Sequence, residues 1–138
     1  RPKIAAPIPL PPARHTVYPA NRAAHNAERG GRPVFTGGEN NIAVYRIDPA
    51  SGEPTLMQHA DTRSFHVRTF ACDPSGQLLV TAGIKQLTQG EGGRLVDVPA
   101  ALSVFRIDAQ GRLEFLRKID VETPGTQLQY WMGIVGLD

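Results

Sequence analysis

The chain has 138 residues, which suits a single globular domain, and 41% of them are hydrophobic, an ordinary fraction for a folded protein. The formal net charge is only +2, and 15 Lys and Arg residues are interleaved with 13 acidic ones. No basic stripe therefore indicates binding to nucleic acid or to an anionic membrane. With 14 Gly and 12 Pro residues, turns should be frequent and long helices rare.

Cysteine and histidine usage gives no sign of a disulfide, a metal or another cofactor. Cys72 is the single cysteine, and we expect it to be a small buried apolar side chain. His15, His25 and His59 show no ligand spacing, so neither a metal nor a cofactor is predicted. The chain begins at Arg1 and not at Met, so we expect a processed, truncated or cut product. No signal peptide is visible, and the compartment stays open with a slight preference for the cytoplasm.

The sequence pattern predicts little regular secondary structure in residues 1–38. Residues 1–14 hold five prolines, which lack a backbone N–H, and are predicted to be an extended segment. Residues 15–23 indicate a short strand that ends in a loop. The Gly-rich stretch over 24–38 shows no clear period and is predicted to be a surface loop.

The rest of the chain alternates between strands and turns. Strands are predicted over 41–48, 55–61, 66–73, 77–84, 101–108, 113–121 and 128–137. Turns rich in Asp, Pro and Gly separate them at 48–54, 73–76 and 109–112. Residues 85–100 are predicted to be a second loop insertion.

Two distant stretches nearly repeat each other. The sequence IAVYRID at 42–48 matches LSVFRID at 102–108 at an offset of 60, and Gly52 and Asp61 recur as Gly111 and Asp120. A weaker echo relates 11–22 to 73–84 at an offset of 62. Several short strands that repeat in this way are typical of β-propeller blades, which are small antiparallel sheets.

The sequence therefore predicts an all-β chain with about two four-stranded antiparallel blades of a β-propeller and an incomplete ring. The predicted first blade portion is 15–62, the second blade is 63–121, and a closing strand lies within 122–138. A propeller needs about four to eight blades, and the outermost apolar faces of two blades would be exposed. We expect the remaining blades to come from another chain or from self-association.

Five segments carry a resemblance to a known family: PANR at 19–22, and the stretches at 37–59, 63–83, 103–118 and 130–137. They resemble the C-terminal part of the seven-bladed lactonase family, which includes phosphogluconolactonase-type and carboxymuconate cyclase-type enzymes. The resemblance implies a substrate cleft near the central channel. It also implies that a small-molecule lactone, of a sugar acid or a related acid, is opened or formed without a metal. The alternative is a non-catalytic propeller fragment that acts as an interaction or assembly module.

The resemblance also implies candidate site residues. Arg22 and Arg68 would hold an anionic substrate or the oxyanion of lactone hydrolysis, and Glu39 would activate water or move the proton. Asn21 and Asn41 are candidates for substrate binding. His66 is a further one, because alternation along a strand would place it on the same side as Arg68. It either lines the channel or is a surface histidine.

Overall fold

The computed structural model describes residues 15–137, and this part of the chain folds into twelve β-strands without an α-helix. The strands are β1 (Thr16–Val17), β2 (Ala20–Arg22), β3 (His25–Arg29), β4 (Arg32–Gly37), β5 (Asn40–Ile47), β6 (Pro54–Asp61), β7 (Val67–Cys72), β8 (Leu78–Gly83), β9 (Leu87–Glu91), β10 (Arg94–Val98), β11 (Ala100–Ile107) and β12 (Leu113–Val121). Between residues 15 and 137, no helix could cross a membrane. The Pro-rich segment predicted over 1–14 lies outside the described residues.

The strands form three open sheets of four strands each. The first sheet contains β1, β2, β5 and β6, and the second sheet has the order β12-β11-β8-β7. All pairings within these two sheets are antiparallel. The predicted all-β chain with partial propeller blades is thereby confirmed.

The strand register repeats as the sequence does. A bulge interrupts the β5–β6 ladder between Val44 and Tyr45, and the β11–β12 ladder has its bulge between Val104 and Phe105. Equivalent residues also face equivalent partners: Tyr45 pairs with Val17 and Leu56, and Phe105 pairs with Leu79 and Phe115. The offsets of about 60 residues therefore describe one structural unit used twice.

Aspartates begin the three tight turns at one end of these sheets. Asp48 Oδ1 accepts hydrogen bonds from the backbone N–H groups of Ala50 and Ser51, at 2.9 and 2.8 Å. Asp73 and Asp108 accept backbone hydrogen bonds in the same way in their own turns. These bonds satisfy backbone donors that the turns leave without ladder partners, so the predicted Asp-rich turns form where the sequence places them.

The two segments that were predicted to be loops form a third sheet. Residues 24–38 make the β3–β4 hairpin, and residues 85–100 contain the β9–β10 hairpin. Because β4 pairs with β9 in parallel, the hairpins join into an accessory sheet of order β10-β9-β4-β3. Each hairpin turns at a Gly-Gly pair with positive φ, at Gly30–Gly31 and Gly92–Gly93, the conformation favoured by tight hairpin turns.

The core lies between the first and the second sheet. Ile42 and Val44 of β5 pack in one cluster with Leu79 of β8 and Phe105 of β11. All four side chains are at most 1% exposed. The hydroxyl of Tyr18 also donates a hydrogen bond of 2.7 Å to the Gly111 carbonyl. The two sheets are thus held face to face by apolar packing.

Two details of the sequence prediction were wrong. No strand forms over 122–137, because the tail is bound by single contacts such as Gln129 N–H to the Ile84 carbonyl at 2.7 Å and not by a ladder. Trp131 lies on this tail and is 80% exposed. Cys72 is exposed and not buried, since it ends β7 at the edge of the second sheet.

Candidate functional site

The candidate residues gather at the end of the sheets opposite to the tight turns. Strand β2 ends at Arg22, β7 begins after His66, and β8 leads into Lys85. Strands β2 and β7 are neighbours across the interface between the two sheets. The longer connections of the chain lie here, so this end offers both charged side chains and room for a ligand.

Asn40 anchors the connection that carries His66. Its Oδ1 accepts a hydrogen bond of 2.7 Å from the His66 backbone N–H, and its Nδ2 donates one of 2.9 Å to the Ala23 carbonyl. Asn40 also lies directly opposite Arg22 in the β2–β5 ladder. His66 has a φ of +53°, an uncommon value for a residue with a side chain. Asn40 therefore holds a strained residue beside the end of β2.

His66 lies in a partly buried, positively charged environment. Burial lowers its pKa from the ordinary 6.5, and the charges of Arg22, Arg68 and Lys85 lower it further, while the Arg22 backbone opposes this. Its Nδ1 is buried and has no hydrogen-bond partner within the described part of the chain. At neutral pH the imidazole is therefore uncharged, and a neutral imidazole can accept a proton.

Arg68 reaches this cluster through a β-bulge. Val67 pairs with Gly83 whereas Thr69 pairs with Ala82, so Arg68 is the extra residue of β7. For this reason, the simple alternation that was predicted to place His66 and Arg68 on the same side does not apply. The Arg68 guanidinium carbon lies 4.8 Å from the centre of the Tyr130 ring, a cation–π contact that orients the side chain.

Asn21, Glu39 and Asn41 form a second group. Asn21 Nδ2 donates to Glu39 Oε2 at 3.0 Å and to Asn41 Oδ1 at 2.8 Å. His59 adds to this group, with its Nδ1 3.6 Å from Glu39 Oε1. The sequence prediction had assigned no role to His59.

The two groups lie on opposite faces of the first sheet. Asn21 and Arg22 are consecutive in β2, and Asn40 and Asn41 are consecutive in β5, so their side chains alternate between the faces. Arg22 and Asn40 face the second sheet, where His66 lies. Asn21 and Asn41 face the side that no other sheet of residues 15–137 covers. The structure thus brings together Arg22, His66 and Arg68 in one place and Asn21, Glu39 and Asn41 in another.

A comparison with protein-family models matches residues 2–88 to the lactonase, 7-bladed beta-propeller family. The match covers more than half of the chain and includes both groups of candidate residues. The chain belongs to the lactonase family. A search of curated proteins and a search of solved structures found no match. The matched segment ends within β9, but the repeated register of β11 and β12 extends the blade architecture to residue 121.

A cleft of about 640 Å³ in this lactonase-family chain includes Lys85, but its lining contains none of Arg22, His66 and Arg68. It is lined by Pro33 of the accessory sheet, by residues 85–88 and by residues 123–128 of the tail. Lys85 therefore belongs both to the cleft and to the positive charge around His66. Among residues 15–137, no three His, Cys, Asp or Glu side chains are grouped so that they could hold a metal ion.

Sequence reasoning missed Asn40 and Lys85, although the repeat contains a signal for part of the site. Positions that shape the blade recur in both copies, whereas several site positions do not. In the second sheet, Gly83 and Ile84 stand at the positions of Asn21 and Arg22, and Ala100 and Ala101 at those of Asn40 and Asn41. Polar residues that break an otherwise faithful repeat are therefore candidates for a role other than packing between blades.

Proposed function

We propose that the lactonase-family site of this chain opens a lactone of a sugar acid, or of a related acid, by hydrolysis. The observation that supports this most is an uncharged, partly buried His66 with the positive charges of Arg22, Arg68 and Lys85 around it. A proton acceptor next to fixed positive charge suits a reaction in which water attacks a carbonyl and an oxyanion forms.

In the proposed reaction, His66 accepts a proton from the attacking water while the water oxygen bonds to the lactone carbonyl carbon. The carbonyl π electrons move to oxygen, and a guanidinium group of Arg22 or Arg68 stabilises the resulting oxyanion. When the carbonyl re-forms, the ring C–O bond breaks, and the leaving alkoxide takes the proton from the His66 imidazolium. The product is a hydroxy acid that ionises to its carboxylate and a proton.

The second group lies on the other face of the first sheet, away from His66. The Glu39 carboxylate there already accepts a hydrogen bond from Asn21 and lies near His59. We therefore propose that His66 takes over the role of proton acceptor that the sequence first suggested for Glu39. The substrate-binding roles of Asn21 and Asn41 stay predictions and are no part of this reaction.

The test is an initial-rate assay of proton release by the 138-residue chain, with the spontaneous hydrolysis subtracted. A six-membered sugar-acid lactone with and without a phosphate ester provides the substrate panel. We expect Arg22→Gln and Arg68→Gln to lower kcat/KM about 100-fold, the usual order for losing one oxyanion donor. Arg46→Gln is the matched control, because Arg46 lies at the opposite end of β5; we expect its rate to stay within twofold.

Equal rates in the wild type, Arg22→Gln and Arg68→Gln would refute the site. If no lactone of the panel is hydrolysed faster than in buffer, the catalytic proposal fails for this chain, and the non-catalytic alternative stands. A stronger loss with the phosphorylated lactone than with the neutral one would show that the arginines bind the substrate's own anionic group.

A further inference from the structure

A second cleft, of about 540 Å³, opens where the accessory sheet meets the other two sheets. The accessory sheet contributes Phe35 of β4, Gln89 of β9 and Val98 of β10 to its lining. Most of the remaining lining comes from the connection between β6 and β7 and from Lys118 of β12. This cleft shares no lining residue with the cleft of about 640 Å³. It is therefore a separate place where a ligand can bind.

The charged side chains of this second cleft favour an anion. Within the described part of the chain, its lining contains the cations Arg63 and Lys118 and a single carboxylate, that of Asp61. Asp61 Oδ1 already accepts a hydrogen bond of 2.8 Å from the Arg63 backbone N–H. Lys118 Nζ lies 3.0 Å from Asp120 Oδ1, but the Asp120 side chain is 61% exposed, so solvent weakens this pair. An anion in the cleft would thus meet two incompletely neutralised cations.

The Arg63 side chain is oriented by an aromatic ring. Its guanidinium carbon lies 3.6 Å from the centre of the Phe115 ring, a cation–π contact. Stacking of this kind uses the flat face of the guanidinium and leaves its N–H groups free to donate. Within residues 15–137 the Arg63 guanidinium forms no ion pair. Two parallel N–H groups of a guanidinium match the two oxygens of a carboxylate, so Arg63 suits this kind of anion.

The apolar part of the lining is mainly aromatic. The rings of Phe35 and Phe65 lie 4.6 Å apart, centre to centre, and are tilted by 56° to each other. Val98 adds an aliphatic side chain. A flat apolar group gains free energy by covering such a surface, whereas a small inorganic anion would leave it in water. The lining therefore fits a carboxylate that carries an apolar body.

We propose that this cleft binds a small carboxylate with a flat apolar body, and that its occupancy is transmitted to His66. Asn40 lines the cleft, and its Oδ1 accepts the hydrogen bond of 2.7 Å from the His66 backbone N–H. Ser64 and Phe65 line it as well and directly precede His66 in the chain. A ligand that displaces or orders these residues therefore changes the surroundings of the imidazole.

The segment that links the cleft to His66 has polar groups left to satisfy. Ser64 Oγ and His66 Nδ1 are buried and have no hydrogen-bond partner within the described part of the chain. Because such groups gain from any rearrangement that gives them a partner, this segment is suited to respond to a ligand. The inference concerns a binding site of its own and does not depend on the proposed hydrolysis.

A titration of the isotope-labelled 138-residue chain with benzoate, followed by NMR, tests this proposal. We expect saturable shifts of the backbone amide signals of Ser64, Phe65 and Gln89, with a dissociation constant of about 1 mM for so small a ligand. The ring proton signals of His66 should shift in parallel. Benzamide has the same shape without the charge, and inorganic phosphate has charge without the ring. Both should bind at least about tenfold more weakly than benzoate.

Charge-removing variants assign the binding to this cleft. Arg63→Gln and Lys118→Gln should each weaken benzoate binding about tenfold, the usual order for losing one charged hydrogen-bond donor. Arg117→Gln is the matched control, because Arg117 is the neighbour of Lys118 in β12 but does not line the cleft; its affinity should stay within about twofold. Circular dichroism reports folding, and Gln89→Glu, which brings a negative charge into the lining, replaces a variant that does not fold.

Several outcomes would overturn the proposal. These are no saturable shift with benzoate, equal affinity for benzoate and benzamide, or unchanged affinity in both Arg63→Gln and Lys118→Gln. Shifts centred on residues 123–128 would place benzoate in the cleft of about 640 Å³ and would also overturn it. Unchanged ring signals of His66 at saturation would overturn the link to the imidazole. No result requires activity, so a failure of the proposed hydrolysis is distinguishable from a failure of this site.

Discussion

The first and the second sheet are two copies of one unit, but only the second has four separate strand positions. In the second sheet, β7, β8, β11 and β12 follow one another from one edge to the other. In the first sheet, β1 and β2 both pair with β5 and together occupy the position of β8. Among residues 15–137, nothing in the first sheet corresponds to β7. The same repeat can therefore be a regular blade in one place and an incomplete one in another.

Pro19 explains why the strand position shared by β1 and β2 is split. It stands at the position of Thr81, in the middle of unbroken β8. A proline has no backbone N–H and cannot donate to a ladder. Its carbonyl still accepts a hydrogen bond of 3.0 Å from the Ala43 N–H, so the chain stays attached to β5 across the interruption. One residue thus converts a continuous strand into two short ones.

The two sheets should differ most in the free energy of unfolding that is lost when the equivalent residues Phe105 and Tyr45 are each replaced by alanine. Phe105 is 1% exposed, and Phe105→Ala should lower the free energy of unfolding by about 3–5 kcal/mol. Tyr45→Ala, at the same repeat position on the free face, should cost less, about 1–2 kcal/mol, because its side chain is only partly buried. Urea unfolding measures both. Equal losses would mean that the two faces are packed alike.

Two turn glycines should show a smaller contrast of the same kind. Gly52 and Gly111 have φ values of +77° and +85°, so alanine is strained at both, by about 1–2 kcal/mol. A Cβ at residue 111 would also lie 2.5 Å from Thr16 Oγ1, across the interface between the sheets, whereas one at residue 52 would meet nothing within 4 Å. Such overpacking adds about 1–3 kcal/mol.

Gly111→Ala should therefore unfold at a clearly lower urea concentration than Gly52→Ala. The two substitutions share their backbone strain, so each serves as the control of the other. If both variants have the same midpoint, Thr16 moves aside and the two sheets do not meet tightly at this turn.

The sequence predicted the blade architecture because the repeat, the alternation and the Asp-Gly turns are local signals. It did not predict the accessory sheet, since β4 and β9 pair in parallel across more than fifty residues and neither shows a strong strand pattern. The Gly-Gly turns were the one local sign of these hairpins. The bulge at Arg68 and the positive φ of His66 were not predicted either. The His66 backbone is held by a hydrogen bond to Asn40, which is 26 residues away in the sequence and belongs to the other sheet.

The six candidate residues were named from the sequence, but their arrangement was not predicted. They lie at one end of the first sheet and at the start of β7, and their roles stay predictions. Their separation into two faces follows from alternation along β2 and β5 once the ladder register is known. The register could not be read from residues 15–23, because Pro19 hides the strand pattern there. The sequence offered one sign of the site: Asn21 and Arg22 are polar, whereas the equivalent repeat positions hold Gly83 and Ile84.

The smallest expected effect concerns the charge that Arg22 brings to a position where the second sheet has Ile84. The pKa of His66 is lowered first by burial and then by Arg22, Arg68 and Lys85. Arg22→Gln should therefore raise this pKa toward its ordinary 6.5, as followed by the ring proton signals in an NMR titration. Arg46→Gln, at the other end of β5, should leave it unchanged.

The direction of the pH dependence of stability follows from the same pKa. Because folding lowers the pKa of His66, the unfolded chain binds more protons than the folded chain between the two pKa values. The contribution of His66 to stability is therefore present above its ordinary pKa of 6.5 and is lost as the pH falls through the lower pKa of the folded state. Since Arg22→Gln brings the two pKa values closer to each other, its urea midpoint should fall less than that of the wild type on acidification. An identical fall in both proteins would mean that the arginine at this non-repeated position does not act on the imidazole.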